Sequence, residues 1–405
     1  MTDATTIGFR YRRPVNRTAR RHPTMASIYD ETHELFRESF RSFVEAEMVP
    51  RREEFETAGI MDREVYAAAG KHGFTGMAVP EQYGGGGTRD FRFNAIIDQE
   101  LAAGATGGGG NGLSLHNDIT TPYFVEYCTP AQAERWLPGI ASGQLITAIA
   151  MTEPGTGSDL AAIATTAVRD GDEYVINGSK TFITNGINSD LVIVVAKTDP
   201  EGGRSGMSLL VVERGMDGFE RGRNLDKIGQ HSADTAELFF NDVRVPVDNL
   251  LGEEGRGFDY LSFNLAQERL SIGLMGLAVA RSALGWTIDY VKERTAFGQP
   301  IAAFQNTKFT LAEVATEIEV TQPFIDQCII ELNAGELTAS KAAMAKLWGS
   351  ELQTKVTDRC LQLFGGYGYT TEYPIGPAYA DARIATIYGG TSEIMKTIIA
   401  KDVLG

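Results

Sequence analysis

Glu268 is the residue of this sequence best placed for acid–base chemistry. With a helical period of about 3.6 residues, it shares one face with apolar residues only: Leu261, Leu265, Ile272, Met275 and Val279. A second apolar line on the opposite side contains Leu270, Leu274 and Leu277, so the helix is expected to be covered nearly all round. Burial raises the pKa of a carboxyl group, as a general base working near neutral pH requires. The alternative is a glutamate at a packing edge, neutralised by a salt bridge.

Two segments in the middle of the chain combine glycines with hydroxyl groups and could hold a ligand. The first, Ala150–Asp159, leaves a predicted strand and contains Thr152 and Ser158 beside glycines that let a ligand approach the backbone. The second, Phe182–Gly186, places an aromatic ring and the hydroxyl of Thr184 before a turn.

Three further segments stand out in the last third of the chain. Arg294–Gly298 follows the Glu268 helix, with Gln305 just beyond, and Gln362–Tyr369 and Tyr388–Glu393 are rich in glycine and aromatic residues. Taken singly, each segment is equally compatible with plain packing or turn chemistry.

Composition and charge exclude several classes of function. The chain has 405 residues, 43% of them hydrophobic and 22% charged, which suggests a globular protein of two to three domains. A net charge of -16 argues against a nucleic-acid surface. The three cysteines and five histidines are scattered without metal-ligand spacing, so no metal site is expected. No uninterrupted apolar run reaches the ~18 residues of a transmembrane helix.

Periodicity divides the chain into an atypical start and three parts. Residues 1–26 are Arg-rich with a single acid, and we expect a disordered extension, with a transit peptide as the alternative. Residues 27–145 show helical patterns, and residues 146–257 contain short alternating runs typical of an antiparallel β-barrel. Residues 258–405 contain four long helical patterns. The expected fold is mainly α with a central β-domain (α+β): an N-terminal helical domain, a middle antiparallel β-barrel and a C-terminal four-helix bundle.

Local glycine patterns give specific expectations for the turns. Gly107–Gly112 matches G-x-G-x-x-G, but it follows no predicted strand, so we interpret it as a tight connection between helices. The pairs Asn177-Gly178 and Asn185-Gly186 predict turns between strands.

Together and in this order, the segments resemble the acyl-CoA dehydrogenase family of flavoproteins, from about Ser27 to Gly405. The sequence departs from one family signature at Pro377, where a basic residue is usual, and at Ala380, where another often follows. We expect these departures to alter only a local contact near the cofactor.

The resemblance implies FAD as the cofactor and assigns residues to it in two groups. In one subunit, the flavin pocket is expected to contain Ile149, Met151, Thr152, Gly157, Ser158, Phe182 and Thr184, with Ser158 also near the substrate. Because members are commonly homotetramers built as pairs of dimers, a second group would reach the FAD of a neighbour: Arg294, Phe297, Gln305, Gln362, Gly365 and Gly366. Arg294 would pair with the pyrophosphate. Thr391 and Glu393 would contact FAD from the start of the last helix, where N–H groups suit phosphate.

The resemblance also bears on the base. Many members carry a glutamate immediately before the Gly-Thr-Ser turn, where this sequence has Gly389, whereas the long-chain and isovaleryl branches carry it on the helix before an arginine. That position here is Glu268, followed by Arg269. The implied reaction is α,β-dehydrogenation of an acyl-CoA to the trans-2-enoyl-CoA, in which Glu268 takes the α-proton and the flavin N5 takes the β-hydride. Arg269, Gly389 and Gly390 are expected to contact the substrate.

The sequence is compatible with two other functions, an acyl-CoA oxidase or flavin monooxygenase on the same fold and a non-catalytic acyl-CoA-binding protein. Fatty acyl, steroid side-chain and polyketide substrates all fit the motifs. The electron acceptor implied by the family is an electron-transfer flavoprotein. We expect a cytoplasmic protein, or one of the mitochondrial matrix if residues 1–26 are a transit peptide.

Overall fold

The structure, a computed structural model, describes residues 27–405, so the predicted extension 1–26 lies outside the described residues. The N-terminal part is helical, as predicted. Its α-helices are α1 (Glu31–Phe43), α2 (Arg52–Ala58), α3 (Arg63–Lys71), α4 (Phe91–Ala103), α5 (Gly107–Ser114), α6 (Thr121–Tyr127) and α7 (Pro130–Ala141). Asp30 and Thr129 begin α1 and α7 with reciprocal capping boxes, which satisfy N–H groups that the first turn leaves free.

The glycine run 107–112 forms helix α5, and the predicted helix–helix connection is therefore wrong. Glycine is a poor helix former, but here tertiary packing decides. A Cβ atom at Gly108 would overlap the backbone N of Ala233, and one at Gly112 would overlap the hydroxyl of Tyr66. The missing side chains thus let α5 lie directly against its neighbours.

The middle part is an eight-stranded sheet that packs one face into an apolar core of its own and the other face, through residues such as Ile193 and Leu209, against α6 and α7. Its strands are β1 (Thr147–Ala150), β2 (Thr166–Asp170), β3 (Glu173–Thr184), β4 (Leu191–Lys197), β5 (Met207–Glu213), β6 (Phe219–Asn224), β7 (Thr235–Pro246) and β8 (Leu250–Leu251). Along the sheet the order is β6-β7-β3-β2-β4-β5-β8, with β1 also paired to β4.

Two features of the sheet differ from the expectation. The sheet is mixed rather than purely antiparallel, because β1 and β2 both pair in parallel with β4. The Asn177-Gly178 pair lies inside β3 at a register irregularity opposite β7, not in a turn. Gly178 is needed there because a Cβ would overlap the hydroxyl of Thr165. Asn185, at φ 60°, does begin the predicted turn after β3.

The C-terminal part is the predicted helical bundle. It contains α8 (Gly257–Glu293), the two-stranded ribbon β9 (Thr295–Ala296) and β10 (Gln299–Pro300), then α9 (Gln305–Asn333), α10 (Ala339–Phe364), the short α11 (Ile375–Ala382) and α12 (Ser392–Leu404). Among the described residues, α8 is the one helix long and apolar enough to cross a membrane. Most of its apolar window is buried inside the protein, as in a core helix.

Helices α8 and α10 cross in close contact because both carry glycine at the crossing. A Cβ at Gly273 would overlap the carbonyl oxygen of Ala345, and one at Gly276 would overlap the carbonyl oxygen of Gly349. These contacts hold the α8 segment that carries Glu268 against α10.

We predict opposite effects for two glycine-to-alanine substitutions on α8. Gly273→Ala should lower the free energy of unfolding by about 2 kcal/mol or more, because the methyl group has no space and the helices must move apart. Gly285→Ala, where a Cβ would have no described atom within 4 Å, should raise it by about 0.5–1 kcal/mol through helix propensity. Urea unfolding of both variants measures the difference, and equal effects would contradict the close crossing.

Candidate active site

The carboxyl group of Glu268 lies in the protein interior and forms no salt bridge with any described residue. Its side chain is 7% exposed, and its Oε2 has no hydrogen-bond partner among the described residues. Burial raises the pKa of Glu268 to about 7, against the opposing effect of the positive charges on Arg269 and Lys346. A carboxyl group with this pKa and a free oxygen can accept a proton at neutral pH.

The turn between residues 388 and 391 faces Glu268. Gly389 and Gly390 have φ values of 61° and 101°, a conformation that residues with side chains rarely adopt. A Cβ at Gly389 would lie 3.4 Å from Glu268 Oε1 and would overlap the Cδ1 of Ile272. The space that a side chain at position 389 would fill is therefore taken by the helix that carries Glu268.

Two cations and two phenols surround this carboxyl group. Arg269 is 8% exposed and its buried Nε has no hydrogen-bond partner among the described residues. Burial lowers the pKa values of Arg269 and of Lys346, the latter to about 8. Burial raises the pKa values of Tyr123 and Tyr388, and the negative charge of Glu268 adds to this effect, at Tyr388 after the charges of Asp98 and Asp381, so both phenols stay neutral.

A partly open cavity with both apolar and polar lining residues lies farther along α8, beyond Glu268. Met275, Val279 and Trp286 line it from α8, and Leu101 and Ala102 line it from α4. At a rise of about 1.5 Å per residue, Met275 and Trp286 stand roughly 10 and 27 Å along the helix from Glu268. The same helix face thus carries the carboxylate and one apolar wall of a cavity.

The two hydroxyl-bearing segments of the middle part are joined to each other. The backbone N–H of Thr181 donates to the carbonyl of Thr152 at 2.9 Å. Ile149 is buried in β1, whereas Gly157 and Ser158 are exposed in the loop after it. Phe182 has φ 60° and is 67% exposed, so its ring stands on the outside of the sheet beside Thr184.

A buried ion pair fixes this junction. Lys180 Nζ donates to Glu153 Oε1 at 2.9 Å and to the carbonyl of Met151 at 3.0 Å. Glu153 also accepts from the backbone N–H groups of Ala164 and Thr165. The loop after β1 is therefore held to β3 by a lysine that is fully buried.

A second group of predicted site residues meets at the opposite end of α8. Arg294, Gln362, Gly365 and Gly366 line one open cleft, in which the Arg294 guanidinium lies 5.7 Å from the ring centre of Tyr367. About 26 residues of helical rise, roughly 39 Å, separate this cleft from Glu268.

Four residues predicted to contact FAD lie outside these two groups within a single subunit. Phe297 is 96% exposed at φ 52°, and Gln305 is exposed as the first residue of α9. Thr391 caps α12, its hydroxyl accepting from the N–H of Ile394 at 3.3 Å, and Glu393 is exposed in the first turn. None of the described residues form a group of three or more His, Cys, Asp or Glu side chains that could hold a metal ion.

Comparison with known proteins agrees with this architecture. The N-terminal, middle and C-terminal domain models of acyl-CoA dehydrogenase match residues 30–144, 148–243 and 255–404 in that order. The mitochondrial long-chain specific acyl-CoA dehydrogenase of Mus musculus is 48% identical over 381 residues, which are 93% of this chain and 87% of the mouse protein.

The chain belongs to the acyl-CoA dehydrogenase family. The crystal structure of an acyl-CoA dehydrogenase from Geobacillus kaustophilus matches with a TM-score of 0.91 at 48% identity, over 94% of this chain and 100% of that one. Glutaryl-CoA dehydrogenase of Mycobacterium smegmatis in complex with FADH2 matches with a TM-score of 0.86 at 27% identity, over 93% and 95%. The predicted family, fold class, enzyme class and FAD dependence are confirmed: the protein is a flavin oxidoreductase acting on a CH–CH bond.

The residues present in this acyl-CoA dehydrogenase fit an FAD molecule. A Cβ at Gly155, Gly365 or Gly366 would have no described atom within 4 Å, so their backbones are open to a ligand. Phe182 offers an exposed ring directly after Thr181, whose N–H is bonded to the loop that carries Gly155, and Arg294 offers an exposed cation beside Gly365 and Gly366.

Sequence reasoning did not identify Lys346, Lys180 or Glu153. Lys346 could have been found by the logic applied to Glu268, since it is the one charge on a stripe of small residues of α10 that includes Ala342 and Gly349. Lys180 and Glu153 are 27 residues apart, and the two come together where the N–H of Thr181 in β3 is bonded to the carbonyl of Thr152 in the loop after β1.

We predict that replacing the buried carboxyl group stabilises the protein at high pH. The pKa of Glu268 is raised from 4.5 to about 7 in the folded protein. The free energy of unfolding therefore falls as the pH rises from 4.5 to about 7, and this group has no effect on it at lower pH. Glu268→Gln should therefore raise the free energy of unfolding by roughly 2–3 kcal/mol at pH 8 and by much less at pH 5. Thermal unfolding at both pH values measures this, with the exposed Glu336→Gln as control. A stabilisation independent of pH would contradict the raised pKa.

Proposed function

We propose that this protein dehydrogenates the α,β bond of a long-chain acyl-CoA, with Glu268 as the base that removes the α-proton. One observation carries the proposal: the carboxyl group of Glu268 is buried, has a free oxygen and faces the Gly389–Gly390 turn. The product is the trans-2-enoyl-CoA. FAD, when bound, supplies the acceptor for the hydride that leaves the β-carbon.

Proton removal falls to Glu268 because its surroundings favour that role. With a pKa of about 7 it is largely ionised at slightly alkaline pH, yet basic enough to hold the proton it takes. Its burial excludes water that would otherwise solvate the carboxylate. The developing negative charge on the thioester oxygen needs donors, and the backbone N–H near Gly389 is the proposed one.

Arg269 has the proposed role of orienting the substrate. Its buried Nε lacks a partner among the described residues and could donate to an oxygen of a bound acyl-CoA. Such a bond would offset the cost of leaving a guanidinium donor unpaired in the interior.

The cavity beyond Glu268 supports a long acyl chain as substrate. Its apolar wall continues the stripe Ile272, Met275 and Val279 away from the reacting carbons. The mouse relative is long-chain specific by name, which agrees with this choice.

The remaining family expectations are part of the proposal. An FAD bound at Thr152, Phe182 and Thr184 in one subunit would be completed by Arg294, Phe297, Gln305, Gln362, Gly365 and Gly366 of a neighbour, since those residues point outward or line a cleft remote from Glu268. This sharing requires at least a dimer, and the proposed assembly is a dimer of dimers. The proposed acceptor is an electron-transfer flavoprotein, and the cytoplasmic or matrix location stays a prediction.

We predict that Glu268→Gln slows flavin reduction without loss of FAD. Mixing the oxidised wild-type protein anaerobically with palmitoyl-CoA should bleach the flavin absorbance, and the variant should do so ~10²–10⁴ times more slowly. The flavin-to-protein ratio of Glu268→Gln should equal that of the wild type. The control Glu336→Gln should match the wild type in both this ratio and the rate of bleaching. Bleaching by Glu268→Gln at the wild-type rate would exclude Glu268 as the base, and wild-type protein that no acyl-CoA bleaches would exclude the reaction.

We also predict that filling the cavity lowers the kcat/KM for long-chain acyl-CoA substrates but not for short-chain ones. Val279→Phe places a ring across the cavity at about 16 Å from Glu268 along the helix. The kcat/KM for palmitoyl-CoA should fall about tenfold or more, whereas that for butyryl-CoA, which does not reach Val279, should change little. Equal losses for both substrates would mean that the acyl chain takes another path.

A further inference from the structure

Lys346 is a buried cation that no step above uses. It lies on α10, is fully buried, and donates to the carbonyl oxygen of Gly390 at 2.6 Å. An ammonium group in the interior is costly unless charges and hydrogen bonds compensate it. Among the described residues, the one hydrogen bond of Lys346 goes to a neutral carbonyl oxygen. The negative charges of Glu268, Glu351 and Glu393 attract it from farther away. Such an incompletely compensated cation in a packed helix crossing calls for a functional explanation.

The hydrogen bond of Lys346 acts on the backbone that faces Glu268. Gly389 and Gly390 are two consecutive residues with positive φ, so no side chain of their own fixes the turn. The bond from Lys346 ties the carbonyl of this turn to α10. The close crossing at Gly273 and Gly349 keeps α10, and hence the ammonium group, within reach of the turn.

The charge of Lys346 acts on the reacting groups. Glu268 is faced by Arg269 on its own helix, by Lys346 from α10, by Tyr123 from α6 and by Tyr388 from the turn. The two phenols are neutral, so Lys346 and Arg269 are the groups that favour the ionised carboxylate. When the α-proton moves to Glu268, the negative charge passes from the carboxylate to the substrate oxygen. The same two cations then favour that oxygen.

We propose that Lys346 is a positioning residue for this reaction, which holds the Gly389–Gly390 turn against Glu268 and whose positive charge favours the carboxylate. This inference rests on the proposed function. Lys346 touches neither substrate nor cofactor in this account and acts through the turn and through its charge.

The test uses the FAD-loaded protein and three substitutions on α10. Lys346→Met removes the charge and the donor at similar length, Lys346→Arg keeps the charge, and Lys355→Met removes an exposed lysine of the same helix as the control. The readouts are FAD content, melting temperature and the pH dependence of anaerobic flavin reduction by palmitoyl-CoA.

We expect Lys346→Met to retain FAD and to show flavin reduction at least about tenfold slower than the wild type at pH 7. Its acid limb, the pH range in which the rate of flavin reduction falls as the pH is lowered, should lie about one pH unit higher than that of the wild type. Lys346→Arg should keep the limb near the wild-type position, and Lys355→Met should change neither rate nor limb. A purely structural role would lower the melting temperature without moving the limb.

Two results overturn the inference. One is a folded Lys346→Met protein whose pH profile is that of the wild type, whatever its rate or melting temperature. If that variant does not fold, Lys346→Gln replaces it, because it keeps a donor and lacks the charge, and an unmoved acid limb in Lys346→Gln is the second. Wild-type protein that no acyl-CoA reduces would instead contradict the proposed function and is therefore distinguishable.

Discussion

The desolvation of one carboxylate governs the organisation of this protein. Glu268 sits on a helix that is apolar on nearly all sides, where ionisation is costly, and the structure opposes that cost only in part. The nearby cations Arg269 and Lys346 lower the pKa, yet neither closes a salt bridge that would consume the base. The buried carboxylate lowers the free energy of unfolding at neutral pH, and the same burial leaves it able to take a proton.

The absence of a side chain at position 389 belongs to the same constraint. Ile272, one turn beyond Glu268 on α8, occupies the volume into which such a side chain would grow, and Glu268 Oε1 lies beside it. Within this chain, a base on the helix and a side chain on the turn would compete for one space. The close crossing of α8 and α10 makes that space small and brings Lys346 to the back of the turn.

Much of the fold followed from local pattern, and the failures have non-local causes. The four long helical patterns predicted in residues 258–405 correspond to α8, α9, α10 and α12, and the apolar stripe around Glu268 correctly predicted its burial, because helical periodicity reports directly on packing. Helix α5 was missed because the close approach of Ala233 and Tyr66, not propensity, selects glycine there. The parallel pairing of β1 with β4 and the Lys180–Glu153 ion pair join segments distant in sequence, so no local pattern encodes them. Lys346 was missed although its stripe carries the same signal as that of Glu268.

The most direct test of Glu268 as the base separates proton removal from hydride loss. An acyl-CoA analogue with sulfur in place of the β-carbon has no β-hydrogen to give up, so any reaction of its α-hydrogens reports on the base alone. We would incubate it with the FAD-loaded protein in D₂O and follow deuterium entry at the α-carbon by mass spectrometry. The account predicts rapid exchange with the wild type and exchange at the level of buffer with Glu268→Gln. Equal exchange by both proteins would contradict it.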